Sequence, residues 1–251
     1  MLALITGASS GIGKEFAKQL ASKGYDLILV SRRLDKLEEV KQEILKENKI
    51  KIDVEAIDLI DENKREELIN KYQNIDILIN NAGFGKLGYF DEIPYQDEDE
   101  MIKLNVLALH HLLKAYYDIF SQRKSGYILN VASIAAFQPG PKMATYYATK
   151  AYVLSISESV HYEAKKLKNN VYISCLCPGP TESNFDKVAN SKFSLKKQSS
   201  EVVVRKAIRG LFKNKRVIFP SSTQHLGIFF ERFIPTNTAM RFCYNAQNKK
   251  G

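Results

Sequence analysis

The sequence predicts an α/β protein in which a doubly wound parallel sheet is covered by helices on both faces. Two observations lead to this fold class. Short runs rich in β-branched and other apolar residues alternate along the chain with longer amphipathic segments. Several of the short runs are apolar at nearly every position, which is typical of strands buried on both faces. Strand–helix alternation of this kind favours right-handed crossovers within one sheet.

The individual elements follow from the same patterns. Seven strands are predicted, at residues 2–6, 27–31, 52–57, 75–80, 127–131, 171–177 and 217–219. Helices are predicted at residues 12–22, 34–46, 64–71, 98–120, 145–167 and 201–212. The second helix shows the pattern most clearly, because Leu34, Leu37, Val40 and Ile44 form one apolar stripe. The chain becomes polar after Pro235, and we expect a loose tail over residues 245–251.

Length and composition limit the class of protein. A chain of 251 residues suits one α/β domain, which we expect to span 1–251. The 45% hydrophobic content is too high for a disordered chain. No apolar run approaches the roughly 18 residues that a membrane-spanning helix needs. The first residues predict a strand instead of a leader peptide, so we expect a cytoplasmic protein.

The positive charge is concentrated in one part of the chain. The formal net charge is +9, and residues 192–216 contain nine basic residues and one acid, which is 9 − 1 = +8. The rest of the chain therefore carries 9 − 8 = +1. A basic surface attracts an anionic partner, such as an acyl thioester or an acidic membrane, and the alternative is a solvated lysine-rich face. Nucleic acid is not expected, because basicity alone supports only non-specific attraction.

Metal and disulfide chemistry are not predicted. The three cysteines are Cys175, Cys177 and Cys243, an odd number that does not suit a disulfide framework. Cys175 and Cys177 lie on one face of a strand, but no histidine or further cysteine is spaced to complete a tetrahedral site. We expect structural thiols in a reducing compartment.

A glycine-rich turn follows the first strand and precedes the first helix. It contains Gly7, Ser9, Ser10, Gly11, Ile12 and Gly13. Glycines let the backbone turn tightly and approach a pyrophosphate, and the first amides of the helix then face the anion. An ordinary Gly/Ser turn is the alternative, but this position in an α/β chain favours a dinucleotide site.

The end of the second strand indicates which dinucleotide is bound. An acid there binds the ribose 2′-hydroxyl of NAD, whereas arginine accommodates the 2′-phosphate of NADP. This chain has Ser31, Arg32 and Arg33, with no acid before Asp35. The arginine fork donates twice to a phosphate, so we favour NADP(H) over NAD(H). A solvated arginine pair at the start of a helix is the alternative.

Three side chains suit the reduction of a carbonyl. Tyr146 and Lys150 stand four residues apart in a predicted helix and therefore share a face, whereas Tyr147 points about 100° away. Ser133 follows the fifth strand, where ligands bind in doubly wound sheets. Tyrosine has an ordinary pKa of about 10, and a nearby ammonium, helped by the positive nicotinamide of the oxidised cofactor, is expected to lower it toward neutrality. Such a phenol delivers a proton to a developing alkoxide.

These motifs resemble those of the short-chain dehydrogenase/reductase family, in order and in spacing. The glycine turn matches that family's Thr-Gly-x-x-x-Gly-x-Gly motif, and Tyr146 with Lys150 matches Tyr-x-x-x-Lys. The resemblance extends from Thr6 to Ser183 and implies a single-domain Rossmann-type fold, an oxidoreductase activity on carbonyl or alcohol groups, and a homodimer or homotetramer. It implies that Tyr146 is the acid/base, that Lys150 tunes it and binds ribose, that Ser133 orients substrate, and that Asn105 supports a water relay. It also implies nucleotide-binding roles for Asp58, Leu59, Asn81, Ala82, Gly83, Pro178, Gly179, Thr181 and Ser183.

Two departures from the family pattern affect the substrate. Residues 178–183 replace the usual valine and threonine with Thr181 and Ser183, which we expect to preserve cofactor binding. The segment after Pro220 is rich in aromatic residues and does not match the common C-terminus. We expect a substrate loop at about 181–200 and a mostly apolar pocket formed by side chains near the catalytic end, with ordinary loop packing as the alternative for each of them; they are Phe84, Phe137, Gln138, Met143 and Phe185.

Three functions are compatible with these observations. The first is an NADP(H)-dependent reductase of an apolar ketone or a 3-oxoacyl compound. The others are an NADPH-binding regulator without chemistry and a peripheral membrane scaffold that uses the basic and aromatic C-terminal third. Ser133, Tyr146, Lys150 and Asn105 favour the enzyme, because a sensor needs none of their proton chemistry.

Overall fold

The computed structural model describes residues 1–182, 197–231 and 233–248. Seven parallel strands form one sheet in the order β3-β2-β1-β4-β5-β6-β7. The strands are β1 Leu2–Thr6, β2 Asp26–Ser31, β3 Ile52–Ala56, β4 Ile77–Asn80, β5 Gly126–Val131, β6 Val171–Leu176 and β7 Val217–Ile218. The predicted fold class and all seven predicted strands are therefore confirmed.

The helices of the described residues are placed around this sheet. They are α1 Gly11–Ala21, α2 Leu34–Leu45, α3 Glu62–Lys71, α4 Tyr95–Ile102, α5 Leu109–Arg123, α6 Ala144–Leu167, α7 Ser200–Phe212, α8 Ser222–Glu231 and α9 Thr236–Asn248. A π-helical segment, Lys103–Ala108, joins α4 to α5, and a single 3-10 turn, Ile134–Phe137, follows β5. The predicted helix at 98–120 is thus one long helical stretch with a wider turn in its middle.

Two apolar layers hold the helices on opposite faces of the sheet. Alternate residues of β1 show the division: Ala3 and Ile5 pack with α1, α2 and α7, whereas Leu4 packs with α3, α5 and α6. This alternation follows from the two-residue period of a strand. In α2 the buried stripe contains Leu37, Val40 and Ile44, while Leu34 at the first position is 54% exposed.

The C-terminal segment differs from the sequence prediction. Residues 245–248 are part of α9, in which Ala239, Cys243 and Gln247 are buried. The predicted loose tail is therefore wrong for 245–248, and residues 249–251 lie outside the described residues. Within the described part of the chain, no helix is long and apolar enough to cross a membrane.

Candidate active site

A cavity of about 730 Å³ opens at the carboxyl ends of the central strands. Strands β2 and β3 are added on one side of β1, and β4 to β7 on the other, so the strand order reverses between β1 and β4. Doubly wound sheets bind ligands in the crevice at the carboxyl ends of the strands at this point. Most of the predicted site residues line the cavity. They are Gly7, Ser9, Ser10, Gly11, Ile12, Ser31, Arg32, Arg33, Asp58, Leu59, Asn81, Ala82, Gly83, Phe84, Ser133, Gln138, Met143, Tyr146, Lys150, Pro178, Gly179 and Thr181. Ser183 and Phe185 lie outside the described residues.

The glycine turn cannot accommodate side chains at two of its positions. Gly7 has a φ of +66°, and a Cβ there would lie 2.8 Å from Nδ2 of Asn81. Gly13 does not line the cavity; it packs beneath the turn, where a Cβ would overlap the carbonyl oxygen of Gly7. Helix α1 begins at Gly11 without a side-chain cap and without an acid in its first turn. Its first amides are therefore suited to a phosphate, so the turn fits a dinucleotide.

The turn after β1 is bound to the turn after β4. The hydroxyl oxygen of Thr6 accepts hydrogen bonds from the backbone N–H groups of Asn81 and Ala82, both at 2.9 Å. The amide of Asn81 donates in return to the carbonyl of Thr6 at 2.9 Å. These bonds fix the two loops that lie on either side of the crevice.

Both arginines after β2 are exposed at one end of the cavity. Nη2 of Arg33 donates to the hydroxyl of Ser9 at 3.2 Å, and Nη1 of Arg32 lies 4.0 Å from a carboxylate oxygen of Asp58. The hydroxyl of Ser31 accepts from the backbone N–H of Arg33 at 3.3 Å. Two cations therefore line the end of the cavity that contains the glycine turn.

Ser133 and Tyr146 meet at the other end of the crevice. Ser133 precedes the 3-10 turn, and its hydroxyl accepts from the N–H of Ala135 at 3.1 Å. A side-chain hydrogen bond joins Ser133 to Tyr146, which is at the start of α6. Burial raises the pKa of Tyr146 to about 12, although the bond with Ser133 lowers it. The lowered pKa predicted from the sequence includes the positive charge of an oxidised nicotinamide and stays a prediction.

Lys150 lies behind Tyr146 and is 5% exposed. Its Nζ donates to the carbonyl of Val131 at 2.9 Å and lies 5.8 Å from the centre of the Tyr146 ring. Burial lowers the pKa of Lys150 to about 8, because the charged form loses its hydration. The predicted convergence of Tyr146 and Lys150 on one place is confirmed.

Asn105 lies in the π-helical segment and is fully buried. Its amide donates to the carbonyl of Phe84 at 2.8 Å and to the hydroxyl of Thr149 at 3.1 Å, and its oxygen accepts from the N–H of Phe84 at 3.0 Å. Thr149 in turn donates to the carbonyl of Tyr146 at 2.7 Å. Asn105 therefore joins the loop after β4 to the helix that carries Tyr146 and Lys150. The wider turn is what directs this side chain inward, as π-helical turns often do at functional sites.

Several residues that the sequence did not indicate line the substrate end of the cavity. Tyr147 accepts hydrogen bonds from Nε2 of Gln247 at 3.1 Å and from Sγ of Cys243 at 3.3 Å. Helix α9 contributes Cys243, Ala246 and Gln247. Helix α4 contributes Asp97 and Glu100, and the loop before it contributes Lys86. The helical period directs Tyr147 about 100° away from Tyr146, yet Tyr147 also lines the cavity, with the two ring centres 6.2 Å apart.

Two expectations about the substrate end are not met. Phe137 does not line this cavity; it packs on Phe219 with ring centres 5.4 Å apart, and it lines a second cavity at the β7 edge of the sheet. The family resemblance places the basic stretch 192–216 beside the substrate entrance, but none of its cations within the described residues lines the active-site cavity. Lys215 and Arg216 line the second cavity instead. Lys192 and Lys196 lie outside the described residues.

Comparison with known proteins places the chain in a family. Residues 1–193 match the family model for short chain dehydrogenase. The chain is 30% identical over 250 residues to a very-long-chain 3-oxoacyl-CoA reductase of Anas platyrhynchos, which covers 95% of this chain and 77% of that protein. A short-chain dehydrogenase from Sphingobium yanoikuyae, solved in complex with NADPH, is 30% identical, covers 88% of each chain and superposes with a TM-score of 0.83.

A further solved structure shares the fold at lower identity. It is a short-chain dehydrogenase/reductase from Burkholderia phymatum in complex with NAD, 20% identical, with a TM-score of 0.83 over 91% of this chain and 92% of that one. The family match, the sheet order and the cavity agree with one another. The chain belongs to the short-chain dehydrogenase/reductase family and is an oxidoreductase that acts on carbonyl or alcohol groups.

Proposed function

We propose that this protein reduces the ketone of an apolar, 3-oxoacyl type substrate with NADPH. The observation that carries the proposal is the placement of Ser133, Tyr146 and Lys150 in the same cavity as the glycine turn. One end of the crevice thus suits a dinucleotide phosphate and the other suits a carbonyl oxygen. The reductase of Anas platyrhynchos supports the substrate class, because that name describes a 3-oxoacyl substrate.

The residues that would hold the cofactor are those of the crevice. The amides at the start of α1 would bind the pyrophosphate, and Asp58 with Leu59 would flank the adenine. Arg32 and Arg33 would bind a 2′-phosphate, and this supports NADPH. A bound nicotinamide supplies the hydride for the reduction. The fold alone does not decide between the dinucleotides, since solved structures with this fold hold NADPH or NAD.

The proton chemistry would be carried out by the chain's own side chains. The hydroxyls of Ser133 and Tyr146 would bind the carbonyl oxygen, and the phenol would donate its proton as the oxygen gains charge. A pKa of about 12 keeps Tyr146 protonated at neutral pH, which suits the direction of reduction. Lys150, 5% exposed and close to the ring, would stabilise the phenolate after proton transfer. Asn105 would position this group by fixing Phe84 and Thr149.

The substrate end of the cavity suits a second oxygen atom. Phe84 and Met143 offer apolar surface, and Tyr147 offers one hydroxyl beside Tyr146. Because Tyr147 accepts from both Gln247 and Cys243, its own proton is directed toward a further acceptor. A 3-oxoacyl thioester carries a second carbonyl two carbons from the ketone. We assign that carbonyl to Tyr147.

A substrate panel tests the proposal. Oxidation of NADPH is followed with 3-oxoacyl thioesters of increasing chain length and with simple ketones, and each assay is repeated with NADH. We expect kcat/KM to be highest for NADPH with a long 3-oxoacyl thioester. Binding of NADPH without turnover of any carbonyl substrate would favour an NADPH-binding regulator without chemistry. A preference for NADH would show that Arg32 and Arg33 do not bind a 2′-phosphate.

A further inference from the structure

Two features of the sequence have no role in the proposed reaction. One is the basic stretch 192–216, and the other is the aromatic segment after Pro220. The structure brings their described parts together at the second cavity, which has a volume of about 720 Å³. Lys215 and Arg216 lie on its wall with Ile228 and Phe229 of α8.

We propose that this surface docks the protein onto an anionic membrane. The docking surface is defined by the exposed apolar side chains Leu226, Phe229, Phe230, Phe233 and Ile234, together with the cations Lys165, Lys215 and Arg216. A lipid bilayer containing acidic headgroups is the partner that satisfies both parts of the surface at once. Apolar side chains enter the boundary between headgroups and acyl chains, and the cations bind phosphates.

The aromatic part of the surface is unusually exposed. Phe229, Phe230 and Phe233 are 51%, 57% and 75% exposed, and Leu226, one turn earlier in the same helix, is 57% exposed. The ring of Phe229 contacts those of Phe230 and Phe233, with ring centres 5.6 and 5.7 Å apart. They therefore form a contiguous apolar patch, which on a soluble surface indicates a partner.

The charges beside this patch select the partner. Of the side chains that line the second cavity, Lys165, Lys215 and Arg216 carry positive charge and Glu158 carries negative charge. Glu158 is paired with Arg216 at 3.0 Å, so the wall of the cavity is positive in sum. A second copy of this chain would bring equal cations to the same interface, whereas an acidic bilayer brings phosphates.

Co-sedimentation with vesicles tests the docking surface without any assay of activity. The full chain is mixed with vesicles of phosphatidylcholine alone or with added phosphatidylglycerol. We expect binding only to the anionic vesicles, and we expect the double variant Phe230→Ser with Phe233→Ser to bind about tenfold more weakly. Lys215→Glu should weaken binding about fivefold or more. The matched controls are Tyr95→Ser, an 80% exposed side chain in α4, and Lys49→Glu, which precedes β3 at the opposite edge of the sheet.

The same experiment separates the other outcomes. Wild-type protein that stays in solution with both vesicle types would overturn the proposal. If the variants bind vesicles like the wild type, the substituted side chains are not part of the docking surface. If the phenylalanine variant instead changes the oligomeric state in size-exclusion chromatography, a second copy covers the patch and the membrane assignment is wrong. Since no substrate is present, failure of the proposed function leaves each of these results unaffected.

Discussion

The amide of Gln247 donates to the hydroxyl of Tyr147 at 3.1 Å and so binds the C-terminal helix to the catalytic helix across 100 residues of sequence. Gln247 is 2% exposed and lines the active-site cavity. The C-terminal helix is therefore a wall of the substrate end of the site. This relationship makes Tyr147 the side chain to alter when substrate choice is tested.

Tyr147→Phe removes only the hydroxyl that we assign to the thioester carbonyl. One lost hydrogen bond corresponds to about a three- to tenfold effect, so KM for a 3-oxoacyl thioester should rise by that factor. A simple ketone lacks the second carbonyl, and its KM should change little. Steady-state kinetics on both substrates measure the difference, with Tyr162→Phe on the exposed side of the same helix as control. Equal effects on the two substrates would contradict the assignment.

Arg32→Ala combined with Arg33→Ala tests the choice of dinucleotide. Each charge-assisted bond to phosphate contributes about 1.5–3 kcal/mol, so the KM for NADPH should rise by roughly tenfold or more. NADH lacks the 2′-phosphate, and its KM should stay within about threefold. The exposed pair Lys36 and Glu39 offers Lys36→Ala as a control in the next turn. A parallel loss for both dinucleotides would show that the arginines do not read the phosphate.

Lys150→Met tests whether the Lys150 ammonium is buried, because burial makes the free energy of unfolding depend on pH. The folded protein holds the pKa of Lys150 at about 8, below the ordinary 10.5, so the folded state releases this proton first. Between pH 8 and 10.5 the unfolded state binds more protons, and the free energy of unfolding of the wild type should rise with pH relative to the variant. The rise is on the order of 3 kcal/mol.

Urea unfolding over this pH range measures the difference between the two proteins. Taking the difference removes the contribution of the tyrosines, which titrate in the same range. Lys49→Met should behave like the wild type, because it lies on the surface. A difference that stays constant with pH would mean that Lys150 keeps its ordinary pKa.

Gly13→Ala tests the close packing of the glycine turn. A methyl group there overlaps the carbonyl oxygen of Gly7, so the turn must open. We expect a loss of about 2–4 kcal/mol in the free energy of unfolding, together with loss of dinucleotide binding. Gly227→Ala is the control, since among the described residues its added Cβ meets no atom outside its own helix turn within 4 Å, and helix α8 should gain about 0.5–1 kcal/mol. Thermal unfolding and dinucleotide titration of both variants decide the matter.

The sheet and the nucleotide end of the site were predictable because their causes are local in sequence. Buried parallel strands are apolar throughout, and a glycine turn between a strand and a helix identifies itself by residue type. Tyr146 and Lys150 were found for the same reason, since four-residue spacing in a helix fixes a shared face.

The substrate end was not predictable because it depends on contacts between distant segments. Gln247 lies in a polar segment, which by composition predicts a loose tail. In the structure Gln247 is buried and donates a hydrogen bond to Tyr147, which is far away in sequence. Phe137 is an apolar loop residue, and only the position of β7 shows that it packs on Phe219. The π-helical segment around Asn105 is likewise absent from the apolar periodicity, since it changes one turn within a long helical pattern.

Tyr146→Phe is the sharpest test of Tyr146 as the proton donor, because it removes the hydroxyl and leaves the ring in place. NADPH binding is measured by fluorescence titration, and reduction of the preferred carbonyl substrate is measured in a single turnover. We predict that the variant binds NADPH with the affinity of the wild type, while its rate of reduction falls by about a thousandfold or more. The control Tyr162→Phe should keep both. Undiminished reduction by Tyr146→Phe would contradict the account, since another group would then supply the proton.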